Sequence, residues 1–169
     1  MTAKQQPGAR ADAAKGMPSL GPQDALALLI ADHREVADMF EQFENLGDRA
    51  TASKQKLVKK ICDALLIHTQ IEEEILYPLV KDQVKGEEDQ VDEAYVEHAA
   101  AKDLIRQLQD MSPDEDLYDA KVKVLSEEIE HHVDEEEHEM FPAIRKSKLD
   151  LDALGQELAQ RKQELRATL

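Results

Sequence analysis

One phrase occurs twice in this chain: "HTQIEEEILYP" at 68–78 and "HVDEEEHEMFP" at 132–142. Each copy places a Glu four residues after a His, carries a run of acids, and closes on an aromatic residue and a proline. Four residues along an α-helix rotate a side chain by only about 40°. His68 with Glu72, and His132 with Glu136, therefore share a helix face. Acid-His dipeptides, Asp32-His33 and Glu97-His98, precede the two phrases at matching intervals: His33 to His68 is 35 residues and His98 to His132 is 34. Two helical hairpins of one pattern, packed with pseudo-two-fold symmetry, bring four His and two Glu to a common centre.

The punctuation supports long helices. Only six Gly and six Pro interrupt the chain, strict alternation is rare, and 41% apolar with 34% charged residues reads as all-α. Gly21-Pro22 is expected to open a first helix that runs to about Leu46. Thr51 or Ser53 caps a second, which Pro78 kinks or ends. A third spans about Glu87 to Met111, and Ser112-Pro113-Asp114-Glu115 reads as a capping box opening a fourth that reaches about Phe141. A fifth, about 151–167, aligns Leu151, Leu154, Leu158 and Leu165. The expectation is an up-down-up-down four-helix bundle over residues 21–145. A flexible leader of residues 1–20 precedes it, and an additional C-terminal helix within 146–169 packs across it.

Each helix shows one apolar stripe at spacings of three and four. The stripes read Leu26-Leu29-His33-Val36-Phe40-Phe43, then Leu57-Ile61-Leu65-His68-Glu72-Ile75-Leu79, then Val91-Tyr95-His98-Ala101-Ile105-Leu108, then Val122-Leu125-Ile129-His132-Glu136-Met140. Every stripe turns polar only near its middle. His131 falls instead on a polar face with Glu127, Glu135 and His138, so the fourth helix turns His132 inward and His131 outward.

Taken singly, a His on an apolar face is most often a hydrogen-bonded core residue. The runs Glu72–Glu74 and Glu135–Glu137 read as mostly solvated faces, which leaves Glu73, Glu74, Glu135 and Glu137 outside the centre. The conjunction decides otherwise for the six stripe residues. Two buried, unpartnered carboxylates cost several kcal/mol each, and a cation converging with four imidazoles removes that cost. Ligands that are all nitrogen and oxygen suit iron, with manganese second, whereas zinc takes fewer.

Charge narrows the partners. With 37 acids against 21 bases the formal net charge is −16, which repels nucleic acid and anionic membranes. The longest strongly apolar run, "ALALLIA" at 25–31, is too short to span a bilayer. Cys62 is the single cysteine, so no disulfide framework exists, and with no signal peptide the composition fits a reducing cytoplasm.

"DH" at 32–33, "EH" at 97–98 and the two long phrases together resemble the hemerythrin-like family, the HHE cation-binding domains, over about residues 22–145. The resemblance implies a non-haem di-iron centre (Fe2+/Fe3+) with a bridging oxo or hydroxo group. It implies His33, His68, His98 and His132 as terminal ligands and Glu72 and Glu136 as bridges. It also implies a small-molecule ligand: O2, peroxide or NO. "LDALGQELAQRKQEL" resembles the extra helix that often follows such domains.

One departure stands out. Oxygen-carrying hemerythrins place a fifth His four residues after the third; here that position is Lys102. With about six positions per iron, the ligands named leave about two open. Water, Glu139, Tyr77 or Lys102 are the candidates to fill them or hydrogen-bond there. The apolar shell of Phe40, Leu65, Ile129 and Met140 suits a small diatomic or peroxide. Three classes of function follow. The first is an O2-binding or iron-handling protein. The second is a redox enzyme with weak peroxidase-like, catalase-like or NO-related turnover. The third is a metal-stabilised scaffold.

The register yields a direct test. His132→Ala is expected to lower iron content sharply by elemental analysis, and His131→Ala and His138→Ala to leave it unchanged. The opposite pattern would place the fourth helix in the wrong register.

Overall fold

The computed structural model describes residues 24–168, and all its regular structure there is helical. The leader expected at 1–20, and Gly21-Pro22 as a helix opening, lie outside the described residues. Helix α1 spans Ala25–Glu44 and is capped by Asp24, whose carboxylate accepts the Ala27 N–H at 2.8 Å. Helix α2, Thr51–Ile71, begins without a side-chain cap. Thr51 and Ser53 do not cap it because a turn closed by Ala50 N–H on Gly47 C=O already winds the chain, placing Thr51 inside the helix.

Pro78 neither ends nor breaks the second helix. A π-helical turn at Glu72–Leu76 intervenes, closed by Tyr77 N–H on Glu72 C=O, and α3 (Tyr77–Gln83) continues with Pro78 in its first turn. The wider turn gives room to a ring that would otherwise meet the carbonyl four residues back. Helices α4 (Glu88–Gln109) and α5 (Tyr118–Glu135) repeat the arrangement. A second π-turn at Glu136–Met140 leads into α6 (Phe141–Lys146), again with its proline, Pro142, in the first turn. Each π-turn adds one residue to its turn, so the buried stripe steps forward. Below Glu72 the buried residues are Leu76, Tyr77 and Val80, while Ile75 and Leu79 are only half-buried.

The capping box at 112–115 forms only its outer half. Ser112 N–H donates to Glu115 at 2.7 Å, but the Ser112 hydroxyl donates to Asp114, and Glu115 N–H turns to the Ser112 carbonyl. The helix starts only at Tyr118, after Leu117 at φ 72°.

Hairpins α1–α2 and α4–α5 lie side by side, α2 against α4 and α1 against α5, and α7 (Leu151–Arg166) packs on α1 and α2 through Leu154 and Leu158. The core is divided. One apolar cluster gathers Leu26, Leu29, Ile71, Leu76, Phe141 and Leu158; the other gathers Val36, Phe40, Ile61, Leu65, Ile105 and Leu125. Between them runs a single layer of buried His and Glu. Among the described residues no helix is long and apolar enough to cross a membrane.

Leu117 offers a check on the α5 start. A left-handed Leu costs about 1–2 kcal/mol, and this side chain is 68% exposed, so it gives little packing in return. Leu117→Gly is expected to leave stability unchanged or raise it by about 0.5–1 kcal/mol, and Leu117→Val to lower it, by chemical denaturation.

Candidate metal centre

His33, His68, His98, His132, Glu72 and Glu136 are all buried, and the structure brings all six together in the polar layer. The Nε2 atoms of His33 and His68 stand 3.1 Å apart, and those of His98 and His132 stand 3.0 Å apart. Glu72 spans the two pairs: Oε1 lies 3.2 Å from His68 Nε2 and Oε2 lies 3.4 Å from His98 Nε2. Glu136 spans them through one oxygen, with Oε2 3.4 Å from His33 Nε2 and 3.5 Å from His132 Nε2. One half is thus His33, His68, Glu72 and Glu136; the other is Glu72, His98 and His132.

The opposite edge of each imidazole faces an outer carboxylate. His33 Nδ1 meets Glu137 at 2.9 Å, His68 Nδ1 meets Asp32 at 3.5 Å, His98 Nδ1 meets Glu73 at 3.0 Å and His132 Nδ1 meets Glu97 at 2.7 Å. A carboxylate can only accept, so the proton sits on Nδ1 and the Nε2 lone pair points to the centre. The bond from His98 holds Glu73, and the bond from His132 holds Glu97, below the usual carboxylate range.

Reading Glu73 and Glu137 as solvated faces therefore misses their part. The π-turn carries each, one residue past Glu72 or Glu136, onto an imidazole of the other hairpin: Glu73 onto His98 and Glu137 onto His33. Asp32 and Glu97, visible as acid-His dipeptides, serve the partner His of their own hairpin. Glu74 and Glu135 stay outside the layer, and His131 and His138 are exposed. Lys102 does not enter: its ammonium donates to Glu73 at 2.6 Å. Glu139 is exposed and accepts from Gln90.

The layer is an assembly of acceptors. Four Nε2 lone pairs face inward, and Glu72 Oε1, Glu72 Oε2 and Glu136 Oε2 have no hydrogen-bond partner though fully enclosed. Such groups are costly without positive charge among them, and the donor set fits a cation in each half. Without metal, a proton substitutes. Burial by itself lowers the His68 pKa, but the charge of Glu72 and the bonds to Asp32 and Glu72 outweigh it and push the imidazole up to about 10.

One hydroxyl breaks the symmetry. Tyr77 donates to Glu136 Oε1 at 2.7 Å and lies 3.2 Å from His98 Nε2. Its counterpart, Phe141, stacks on His33 with ring centroids 5.9 Å apart and carries no hydroxyl. Burial, with the charges of Glu72 and Glu136, holds the Tyr77 phenol well above its ordinary range, so it stays a donor. A groove of about 330 Å³ between α1 and α5 reaches His33 past Ala37, Phe40, Ile129 and Val133.

The chain matches the hemerythrin HHE cation binding domain over residues 24–144. A DNA nickase of Nostoc sp. is 32% identical over 114 residues, which cover 68% of this chain and 31% of that protein. The chain thus spans about a third of that relative's length. The crystal structure of a hemerythrin HHE cation binding domain-containing protein from Mycobacterium kansasii superposes with a TM-score of 0.74 at 23% identity, covering 86% of this chain and 89% of that one. At that identity the likeness is one of fold.

The His68 shift sets a pH dependence for the metal-free protein. Its folded pKa, about 10, lies above its ordinary 6.5, so the stabilisation is complete below about pH 6.5 and is lost as pH rises towards 10. The melting temperature of the metal-free protein is expected to fall by several degrees between pH 7 and 9.5, and His68→Gln to flatten that slope. Identical slopes in both proteins would contradict it.

Proposed function

We propose that this chain, which belongs to the hemerythrin HHE cation-binding family, holds two iron ions in its polar layer and uses them to bind O2 or a related small ligand, or to handle iron. His33 and His68 would hold one ion and His98 and His132 the other, with Glu72 and Glu136 shared between the two positions. The observation that carries this reading is the set of seven inward acceptors, four imidazole nitrogens and three carboxylate oxygens, with the Tyr77 hydroxyl the one protein donor beside them among the described residues. Iron is preferred because the donors are nitrogen and oxygen throughout and include carboxylates shared between the two halves.

Iron supplies open coordination positions and one-electron chemistry to small ligands. The protein's own residues supply the rest. Asp32, Glu73, Glu97 and Glu137 fix the imidazole rings and keep Nε2 unprotonated for the metal. The two apolar clusters exclude bulk water on either side, and the groove between α1 and α5, about 330 Å³ with His33 in its lining, has the volume for a diatomic or peroxide. A net charge of −16 favours cations and neutral molecules over nucleic acid or an anionic membrane.

A redox enzyme acting on peroxide or NO is the second reading, and Tyr77 favours it. Its O–H is a proton donor inside the layer, where the symmetric position has none. With Lys102 tied to Glu73, that hydroxyl and not the ammonium is the group placed to serve a bound ligand.

Anaerobic loading with Fe(II) is expected to reach about two irons per chain by elemental analysis, with near-ultraviolet absorption appearing in air. Saturation at one ion or none would end the dinuclear reading. Tyr77→Phe then separates the two functions: it is expected to preserve iron content and, on the enzyme reading, to reduce peroxide turnover.

A further inference from the structure

Each outer carboxylate is itself met by a basic group, and three of these come from the bundle. Arg34 on α1 donates to Glu137 at 2.6 Å, Lys102 on α4 donates to Glu73, and His131 on α5 faces Glu97 at 3.6 Å. The fourth comes from outside it. Lys162, on α7, donates to Asp32 Oδ1, and Asp32 Oδ2 faces His68 Nδ1. Asp32 is only 7% exposed, so its charge is balanced almost entirely by these two partners. Beside it, Arg161 grips Glu74 with two nitrogens, at 2.7 and 3.2 Å. Glu74 lies in the first π-turn, two residues after Glu72. Lys162 and Arg161 thus brace His68 and the first π-turn, both on the second helix; the pairs that hold His98 and His132 come from the bundle itself.

We propose that the C-terminal helix is a positioning element of the metal centre. Lys162, through Asp32, fixes the His68 imidazole and so sets the affinity of the His33/His68 position, making the two positions unequal. This rests on the dinuclear reading above. Remove the ammonium, and Asp32 becomes a buried, under-compensated carboxylate. It relieves that cost by turning to solvent. That turn removes the acceptor that keeps the His68 proton on Nδ1, and the ring is then free to turn its Nε2 lone pair away. Partners of this kind are worth about 10–100-fold in metal affinity. Lys162 stands one step further out, so the lower end applies.

The test is a Co(II) titration of the full chain against a competing chelator, followed by elemental analysis. The unmodified chain is expected to bind two ions. Lys162→Met, which keeps the aliphatic stem packed on the bundle, is expected to bind one ion as before and the other about 10-fold more weakly, with helix content retained. Lys162→Arg is expected to restore the affinity for the second ion, which a merely structural role for the stem would not require. Equal affinities in Lys162→Met and the unmodified chain overturn the proposal. So does equal weakening of both ions together with a lower melting temperature of the metal-free protein, which would make Lys162 a staple. An unmodified chain that binds fewer than two ions overturns the dinuclear reading, and this inference with it.

Discussion

A layer of buried acceptors crosses an otherwise apolar bundle, and the rest of the structure is arranged around its charge. Glu72 and Glu136 are among the least exposed residues of the chain, yet three of their four oxygens have no hydrogen-bond donor. Four imidazole nitrogens face the same point. An apolar interior stabilises none of this, so the layer needs cations at its centre or protons in their place. The two separate hydrophobic clusters are the direct consequence: apolar packing resumes above and below the layer.

The π-turns reconcile that layer with continuous helices. Both begin at the inward Glu and both are followed by a proline in the next α-helical turn. The added residue does two things. It rotates the next acid, Glu73 or Glu137, far enough round to reach an imidazole. It also steps the apolar stripe forward, so that Leu76, Tyr77 and Val80 are buried below Glu72. The proline that looks like a helix stop is tolerated because it lies just after the widened turn.

The two hairpins share a plan, and the chain departs from it in two places. Tyr77 puts a hydroxyl where Phe141 puts a bare ring. The C-terminal helix adds Lys162 and Arg161 beside the first hairpin. Both departures bear on groups around the centre, one on Glu136 and the other on His68 through Asp32. Neither disturbs the pairing of Glu72 across the two halves.

The helical bundle and the six inward residues were legible in the sequence because both follow from one periodicity. A stripe at spacings of three and four marks a helix, and a His or Glu within that stripe must share the buried face. That is why His132 is separated from His131 without coordinates. The helix ends were less legible. Thr51, Ser53 and Ser112 are good capping residues that a neighbouring turn or side chain displaced. What only the tertiary structure decided are contacts between distant segments: Glu73 on His98, Glu137 on His33, Lys102 turned to Glu73, and Lys162 on Asp32 across 130 residues. Local spacing determines which way a side chain leaves its own helix. Which atom it meets there depends on how the helices pack and on the single extra residue in each π-turn, and no local pattern carries that.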